Sequence, residues 1–271
     1  MWQSPFDRFR RQTGVERRPI PSYVRGGIRK IAFSPHPTPN ALTKPRKIRY
    51  NKGMMQTDEK RTGNRENYQK RMEEIITATE KGTRLLLHSC CAPCSSACLE
   101  ALKDHFAVTV FYYNPNIDED EEYEKRKAEQ IRFLKETGWA DFVDCDHDKQ
   151  AFENLSKGLE QEPERGKRCY LCYELRLEKT AQKARELGFP YFCTTLSLSP
   201  YKNAEWLNEL GEKHGGRYAV NYLFSDFKKK GGYHRSLELS DQFGLYRQDF
   251  CGCKFSKAET ENRRAKTRDD G

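Results

Sequence analysis

The sequence lacks any long hydrophobic run. In its 271 residues, no apolar stretch comes near the roughly 18 residues that a membrane-spanning helix needs. The first residues, MWQSPFDRFRRQTG, contain no apolar segment of the kind found in signal peptides. We therefore expect a cytoplasmic protein without a membrane partner. In such a protein, cysteines serve as metal ligands or redox groups more often than as structural disulfides.

Acidic residues are scarce in the first fifth of the chain. Residues 1–53 contain 13 Lys and Arg against 2 Asp and Glu, together with seven of the 12 prolines, whereas the remainder contains 36 basic and 38 acidic residues. Such a composition cannot bury enough apolar surface to offset its ordering entropy. We predict a disordered basic extension over residues 1–65, a catalytic domain over 66–257 and a charged tail over 258–271. The extension is either a phosphate-binding arm or a solubilising tail.

Short apolar runs alternate with helix-like patterns along the rest of the chain. The runs RLLLHS, AVTVFYYNPN, ADFVDCD and YFCTTLSLSP each predict a strand, and RYAVNYLFSDF predicts a fifth. A helix is predicted after the first strand, from Ser95 to Phe106. The alternation indicates an α/β protein with a parallel sheet of four or five strands and helices on both faces, in a Rossmann-like or HUP-like three-layer arrangement. In such sheets, ligands bind beyond the carboxyl ends of the strands.

Cysteine, by contrast, is plentiful, with ten residues. Most of them form three groups, each flanked by turn-forming or polar residues: Cys90 and Cys91 with Cys94, Cys169 with Cys172, and Cys251 with Cys253. The first group lies in LLLHSCCAPCSSACLEAL, directly after a predicted strand and therefore at the expected ligand-binding edge. Cys98, Cys145 and Cys193 are predicted to be packing residues.

Three kinds of site compete for these cysteines. A thioredoxin-type pair matches CAPC at the start of a helix but leaves Cys90 and the other two groups without a role. Zinc matches the two C-x-x-C pairs, yet about 75 residues separate them and the C-x-C pair stays unused. Iron–sulfur ligation fits best by count, because a [4Fe–4S] cluster takes four thiolates. The four ligands are then Cys90, Cys91, Cys169 and Cys172.

The remaining pair, Cys251 and Cys253, is separated by a single glycine. Its sulfurs close a small ring only with strain, and strained disulfides are easily reduced. Gly252 permits the unusual backbone angles that such a ring needs. We therefore predict a redox-active dithiol beside the cluster. The role of Cys94 is left open: it is either a ligand of an additional mononuclear iron or a plain cysteine at the start of a helix.

At these residues, the chain resembles the epoxyqueuosine reductases of the QueH type. The resemblance runs from about Asn67 to Lys257, and it is carried by the segments NYQKRMEEI, LLLHSCCAPCSS, FYYNPNI, EYEKRKAEQIRFL, RCYLCYELRLEKTAQKA, FCTTLSLSPYKN and FKKKGGYHRSLELSDQFGLYRQDFCGCKFS. The basic extension and the charged C-terminus receive no support from this family.

The resemblance implies the last step of queuosine formation in transfer RNA. The epoxide of epoxyqueuosine loses its oxygen as water and leaves an alkene, which takes two electrons and two protons from an unidentified electron donor. The family implies a [4Fe–4S] cluster on the four ligands above, no cobalamin, and Cys251 with Cys253 as the redox couple. Two alternatives stay open, a zinc-bearing RNA-binding module and a thioredoxin-like dithiol oxidoreductase. The sequence leaves the oligomeric state undetermined.

Residues for RNA contact and proton donation are suggested by their position next to these motifs. The segment FKKKGGYHR combines cations with an aromatic residue, which suits phosphate contact with a base stacked nearby, and SPYKN adds one more lysine. The predicted RNA contacts are Lys228, Lys229, Lys230, Tyr233 and Lys202. The candidate proton donors are Tyr170, Tyr233, His234 and His88, of which His88 is better explained as a hydrogen-bonded histidine at a strand end.

Overall fold

The computed structural model describes residues 66–269. The predicted basic extension, residues 1–65, lies outside the described residues, as do residues 270–271. Its predicted disorder therefore stays a prediction.

Strands and helices alternate along the described chain. The strands are β1 (Thr83–His88), β2 (Phe106–Phe111), β3 (Asp141–Val143), β4 (Tyr191–Thr194) and β5 (Asn221–Tyr222). The helices are α1 (Tyr68–Ala78), α2 (Ala92–Leu102), α3 (Asp120–Thr137), α4 (Lys149–Ser156), α5 (Lys167–Glu186), α6 (Ala204–Tyr218), α7 (Gly232–Gln242) and α8 (Lys254–Asp269). Short 3-10 turns occupy Thr195–Leu198 and Lys229–Gly231. Within residues 66–269, no helix combines the length and the apolar character that a bilayer crossing requires.

The five strands form one sheet in the order β3-β2-β1-β4-β5. Every neighbouring pair is parallel, which confirms the predicted α/β sheet. The chain builds the sheet outward from β1 in one direction through β2 and β3, and then in the other through β4 and β5. A topological switch point therefore lies between the carboxyl ends of β1 and β4, where open α/β sheets bind their ligands.

Helices cover both faces of the sheet, as predicted. In β1, Leu85 and Leu87 enter one hydrophobic core with residues of α2, α3 and α7, while Leu86 enters a second core with residues of α5 and α6. All three leucines are fully buried. This alternation follows from the two-residue period of a strand, which sends successive side chains to opposite faces.

Two helix boundaries differ from the sequence-based expectation. Helix α2 begins at Ala92 rather than Ser95, and Pro93 lies in its first turn. A proline is tolerated there because the N–H it lacks would have no partner within the helix. The predicted end of this helix, Phe106, is instead the first residue of β2. At the other end of the chain, α8 runs through the boundary that we predicted between residues 257 and 258.

Candidate metal and redox centre

Three thiols meet in the loop between β1 and α2. The Sγ atoms of Cys90 and Cys91 lie 3.7 Å apart, and the sulfurs of Cys90, Cys91 and Cys94 all lie within 4.8 Å of one another. Cys91 is the N-cap of α2, and Cys94 lies in the first turn. The positive end of the helix dipole therefore adjoins these sulfurs and favours their thiolate forms. We call these three residues the cysteine triad; it can hold a metal ion or an iron–sulfur cluster.

The three thiols of the triad differ in pKa. Hydrogen bonds from the Cys91 and Cys94 thiols hold the pKa of Cys90 well below its ordinary value. The same bond to Cys90 raises the pKa of Cys91 to about 12, and bonds to both neighbours raise the pKa of Cys94. Cys90 is therefore the thiol of the triad that loses its proton most easily. Metal binding releases the remaining thiol protons of the cysteines that become ligands.

The other two cysteine groups line a common cleft. Cys169 and Cys172 come from the first turns of α5, and Cys251 and Cys253 come from the segment before α8. The empty space of the cleft, including its opening to solvent, is about 370 Å³. We call it the cysteine cleft. The structure thus brings together the C-x-x-C pair and the C-x-C pair, which are about 80 residues apart in the chain.

Nitrogen donors contact three of the four sulfurs in the cleft. The backbone N–H of Arg165 donates to Cys169 Sγ at 3.3 Å, and that of Ser256 donates to Cys253 Sγ at 3.4 Å. The Lys202 ammonium donates to Cys251 Sγ at 3.2 Å. Burial raises the pKa of Cys172 to about 11 and that of Cys253 to about 12. Cys251 therefore stands out as the sulfur with a charged hydrogen-bond donor.

The backbone of the C-x-C loop is held by the segment after β2 and by α3. Gly252 has a φ of +111°, and a Cβ atom at this position would lie 2.9 Å from Ile117 Cγ1, so the predicted need for glycine is confirmed. The Gly252 carbonyl accepts from Asp118 N–H at 3.1 Å. Arg126 Nη1 and Asn116 Nδ2 both donate to the Cys251 carbonyl, at 3.3 and 3.4 Å.

Two cations, the buried Arg176 and the half-buried Lys202, lie between the triad and the cleft. Arg176, one helical turn after Cys172 on α5, is 1% exposed and donates through Nη2 to Asn114 Oδ1 at 2.7 Å. Its Nη1 atom is buried and has no hydrogen-bond partner among residues 66–269. Burial alone would lower the pKa of Arg176, but the Cys172 and Cys90 sulfurs raise it.

Lys202 interacts with both groups of sulfurs in the same way. Burial opposes its charge, yet the Cys251 sulfur above all keeps the pKa of Lys202 well above its ordinary value, and Cys90 acts in the same direction. The buried Arg176 and the half-buried Lys202 both require compensating negative charge, and the unpartnered guanidinium N–H requires a hydrogen-bond acceptor. The residues present therefore fit a metal–thiolate group, which carries net negative charge.

The candidate proton donors lie outside the cleft lining. His88 is fully buried, contacts Thr194 Oγ1 at 2.9 Å and the Tyr113 carbonyl at 3.0 Å, and has its pKa lowered to about 3 by burial and then by Arg176. It is neutral at physiological pH and orders the end of β1. Tyr170 packs edge-on against Trp206, and the exposed His234 pairs with Glu238.

The predicted RNA contacts are spread over two places. Lys228 forms an ion pair with the buried Asp226, and Lys230 forms one with the partly exposed Glu73. Lys229 is exposed, and Tyr233 is half-buried near the start of α7. Lys202, which we predicted to contact phosphate, instead directs its ammonium to Cys251. The roles of all five residues in RNA binding stay predictions.

Fold and site together define an α/β protein with a thiol-based metal or redox centre at the switch point of its sheet. Comparison with known proteins specifies the class. The family model "Epoxyqueuosine reductase QueH" matches residues 85–259, and the chain belongs to this family. The match includes all three cysteine groups and the sheet strands.

Individual relatives agree with the family model. The epoxyqueuosine reductase QueH of Streptococcus pyogenes serotype M1 is 40% identical over 198 residues, which cover 70% of this chain and 78% of the relative. That of Staphylococcus epidermidis is 40% identical over 200 residues, 70% of this chain and 84% of the relative. That of Thermotoga maritima is 34% identical over 185 residues, 67% of this chain and 94% of the relative. The resemblance stated from the sequence is confirmed, and the zinc-module and thioredoxin-like alternatives are not favoured.

Proposed function

We propose that this chain reduces epoxyqueuosine in transfer RNA to queuosine. The reaction removes the epoxide oxygen as water and leaves an alkene, at the expense of two electrons and two protons. The observation that carries the proposal is the placement of seven cysteines around two cations, the buried Arg176 and the half-buried Lys202, at the ligand-binding edge of the sheet. Family membership supplies the substrate class, and we place the reaction in the cytoplasm.

A [4Fe–4S] cluster on Cys90, Cys91, Cys169 and Cys172 is the proposed cofactor. When bound, such a centre supplies single-electron transfer and, at an open iron, Lewis acidity toward oxygen. Arg176 supports the assignment because its free Nη1 and its charge lie near Cys90 and Cys172, one cysteine from each half of the ligand set.

Cys94 has a second proposed role, as a ligand of an additional mononuclear iron. It belongs to the triad by distance. Its sulfur lies within 4.8 Å of those of Cys90 and Cys91, so an iron held by Cys94 would adjoin these two cluster ligands.

Cys251 and Cys253 are the proposed source of the electron pair. Oxidation of their two thiols to a disulfide releases two electrons and two protons, which balance the conversion of the epoxide to an alkene and water. The Lys202 ammonium donates a hydrogen bond to Cys251 Sγ at 3.2 Å and fixes the position of that sulfur in the cleft. Arg126 and Asn116 hold the loop that carries the pair. An external electron donor then returns the disulfide to the dithiol.

An assay on anaerobically purified protein tests the proposal. Iron and acid-labile sulfide are counted, and reduced protein is incubated with transfer RNA that contains epoxyqueuosine; the nucleosides are then identified by mass spectrometry. We expect bound iron with sulfide and conversion of epoxyqueuosine to queuosine. A colourless protein that carries stoichiometric zinc and leaves epoxyqueuosine intact contradicts both the cofactor and the reaction.

A further inference from the structure

One exposed aromatic side chain stands beside the cysteine cleft. Tyr201 is 56% exposed, well above Leu187 and Leu237, the two other large apolar side chains that are exposed within residues 66–269. A single exposed apolar residue is ordinary on a protein surface. What distinguishes Tyr201 is therefore the position of its ring beside the cleft and not its exposure alone.

Two contacts tie the ring to the mouth of the cleft. The next residue, Lys202, reaches Cys251 Sγ with its ammonium at 3.2 Å. On the other side, the guanidinium carbon of Arg165 lies 5.3 Å from the centre of the Tyr201 ring, and the backbone N–H of Arg165 donates to Cys169 Sγ at 3.3 Å. Ring and guanidinium thus come from two separate loops, each anchored to a different sulfur of the cleft.

The two loops have defined conformations. Arg165 has a φ of +72°, which is uncommon outside glycine. The Tyr201 N–H donates to Ser199 Oγ at 3.3 Å. Both side chains are exposed while their backbones are hydrogen-bonded, so the pair is presented to solvent from a fixed position.

We propose that Tyr201 and Arg165 form a stacking site for an unpaired nucleobase of the RNA substrate, next to the base that enters the cysteine cleft. The inference rests on the proposed function, which supplies an RNA substrate. An aromatic ring stacks any base because every base has a π face. An arginine beside the ring adds a cation for the backbone phosphate or a second plane for stacking.

Burial of the reactive sulfurs explains why such a site is needed. Cys172 and Cys253 are 6% and 9% exposed, so a base that reacts there has to leave its own stack. Its neighbours then lose a stacking partner, and extruded or unpaired bases in RNA complexes stack on aromatic side chains. Tyr201 stands where a neighbouring base emerges from the cleft.

The charge distribution also favours a local stacking contact. Residues 66–269 carry 33 basic and 35 acidic residues, so the described part of the chain has no large positive net charge to attract phosphate. Specific contacts at the cleft mouth then have to contribute a larger share of the binding. Stacking itself releases no counterions, so its contribution changes little with salt.

The test measures binding of a fluorescent anticodon stem-loop RNA to the full-length chain by anisotropy. We expect Tyr201→Ala to weaken binding about tenfold to a hundredfold, as loss of one stacked base does, and Tyr201→Phe and Tyr201→Trp to bind as the parent does. The matched control is Leu187→Ala. It also removes an exposed apolar side chain, but at the far end of α5 from Cys169 and Cys172, and no change is expected.

A salt series separates stacking from charge. The factor lost in Tyr201→Ala is expected to be the same at low and high salt, whereas Arg165→Gln reduces the slope of log affinity against log salt by about 1. A 2-aminopurine base in the loop of the RNA gives a direct readout, since its fluorescence is quenched by stacking on Tyr201 and recovers in Tyr201→Ala.

The outcomes distinguish this inference from the proposed function. If Tyr201→Ala binds the stem-loop as tightly as the parent, the stacking site is wrong, whether or not the parent reduces epoxyqueuosine. If only the rate of re-reduction by the electron donor falls, the surface serves a protein partner and the inference is also wrong. If the parent binds RNA in a Tyr201-dependent way without reducing epoxyqueuosine, the stacking site holds and the proposed reaction fails. Circular dichroism of each variant confirms folding.

Discussion

The cysteine triad and the cysteine cleft lie at the same edge of the sheet but are built differently. The triad comes from one loop of five residues, and its thiols hydrogen-bond to one another. The cleft takes its sulfurs from two distant segments, and backbone or side-chain nitrogens contact three of them. The triad therefore suits a shared metal. In the cleft, by contrast, each sulfur of the C-x-C pair has its own nitrogen donor, which suits a redox-active dithiol.

The largest difference between the two regions is expected in metal binding. Cys91→Ser removes a fully buried thiol from the triad, and we expect the affinity for iron to fall by more than the roughly 10–100-fold that loss of an outer-shell partner costs, so that the purified variant carries less iron. Iron and sulfide counts on anaerobic protein measure this. Cys98→Ala is the matched control on the same helix, because its thiol donates to the Cys94 carbonyl and packs in the core. Retention of full iron in Cys91→Ser would remove the triad from the metal site.

Cys251→Ser is the complementary change in the cleft. Iron and sulfide are expected to stay at the parental level, while multiple-turnover reduction of epoxyqueuosine is abolished because no disulfide can form with Cys253. Mass spectrometry of the nucleosides and the metal count are measured on the same sample. Loss of iron together with activity would show that Cys251 belongs to the metal site, and the separate role of the C-x-C pair as a dithiol would then be wrong.

The sequence was sufficient to predict the parallel sheet, the three cysteine groups and the glycine between Cys251 and Cys253. Each depends on local chemistry, namely apolar runs of strand length, thiol spacing and a backbone angle that only glycine adopts easily. The close approach of the Cys94 sulfur to those of Cys90 and Cys91 could not be predicted because it depends on where α2 begins. A start at Ser95 would leave Cys94 outside the helix, whereas the observed start at Ala92 puts it in the first turn.

The positions of the Arg176 and Lys202 side chains at the site could not be predicted for a different reason. Arg176 lies in a helix rich in charged residues, and a buried arginine has the same sequence pattern as an exposed one. Its spacing of four residues from Cys172 was the one available signal, since residues i and i+4 share a helix face. Lys202 has a long flexible side chain that reaches either solvent or the cleft. Only the position of Cys251, contributed by a segment 49 residues away, decides between them.

Alkylation of metal-free, reduced protein compares one cysteine of each region at equal solvent exposure. Cys90 and Cys253 are both 9% exposed, but hydrogen bonds from Cys91 and Cys94 lower the pKa of Cys90, whereas burial raises the pKa of Cys253 to about 12. The thiolate is the reactive form, so a small alkylating reagent is expected to label Cys90 first at pH 7. Labelling of Cys253 should then rise about tenfold per pH unit as its thiolate fraction grows. Peptide mass spectrometry at several pH values gives both rates, and equal rates at pH 7 would contradict the difference in pKa.

The smallest effect concerns how α2, which carries the triad, is fixed to α7. Arg235 donates to both oxygens of Glu100, at 2.7 and 2.8 Å, and this hydrogen bond lowers the pKa of Glu100. The ionised form therefore stabilises the fold above the ordinary glutamate pKa, and the contribution is lost as pH falls through the lowered value. Both side chains are partly exposed, so Glu100→Gln is expected to cost only about 0.5–1 kcal/mol of unfolding free energy at pH 7. The cost should vanish in acid, where Glu100 is protonated.

Urea unfolding at pH 7 and in acid measures the cost, and the control is Glu136→Gln, which changes a more exposed glutamate paired with Arg132. A larger cost accompanied by loss of iron would mean that the position of the triad depends on the α2–α7 contact rather than on its own loop.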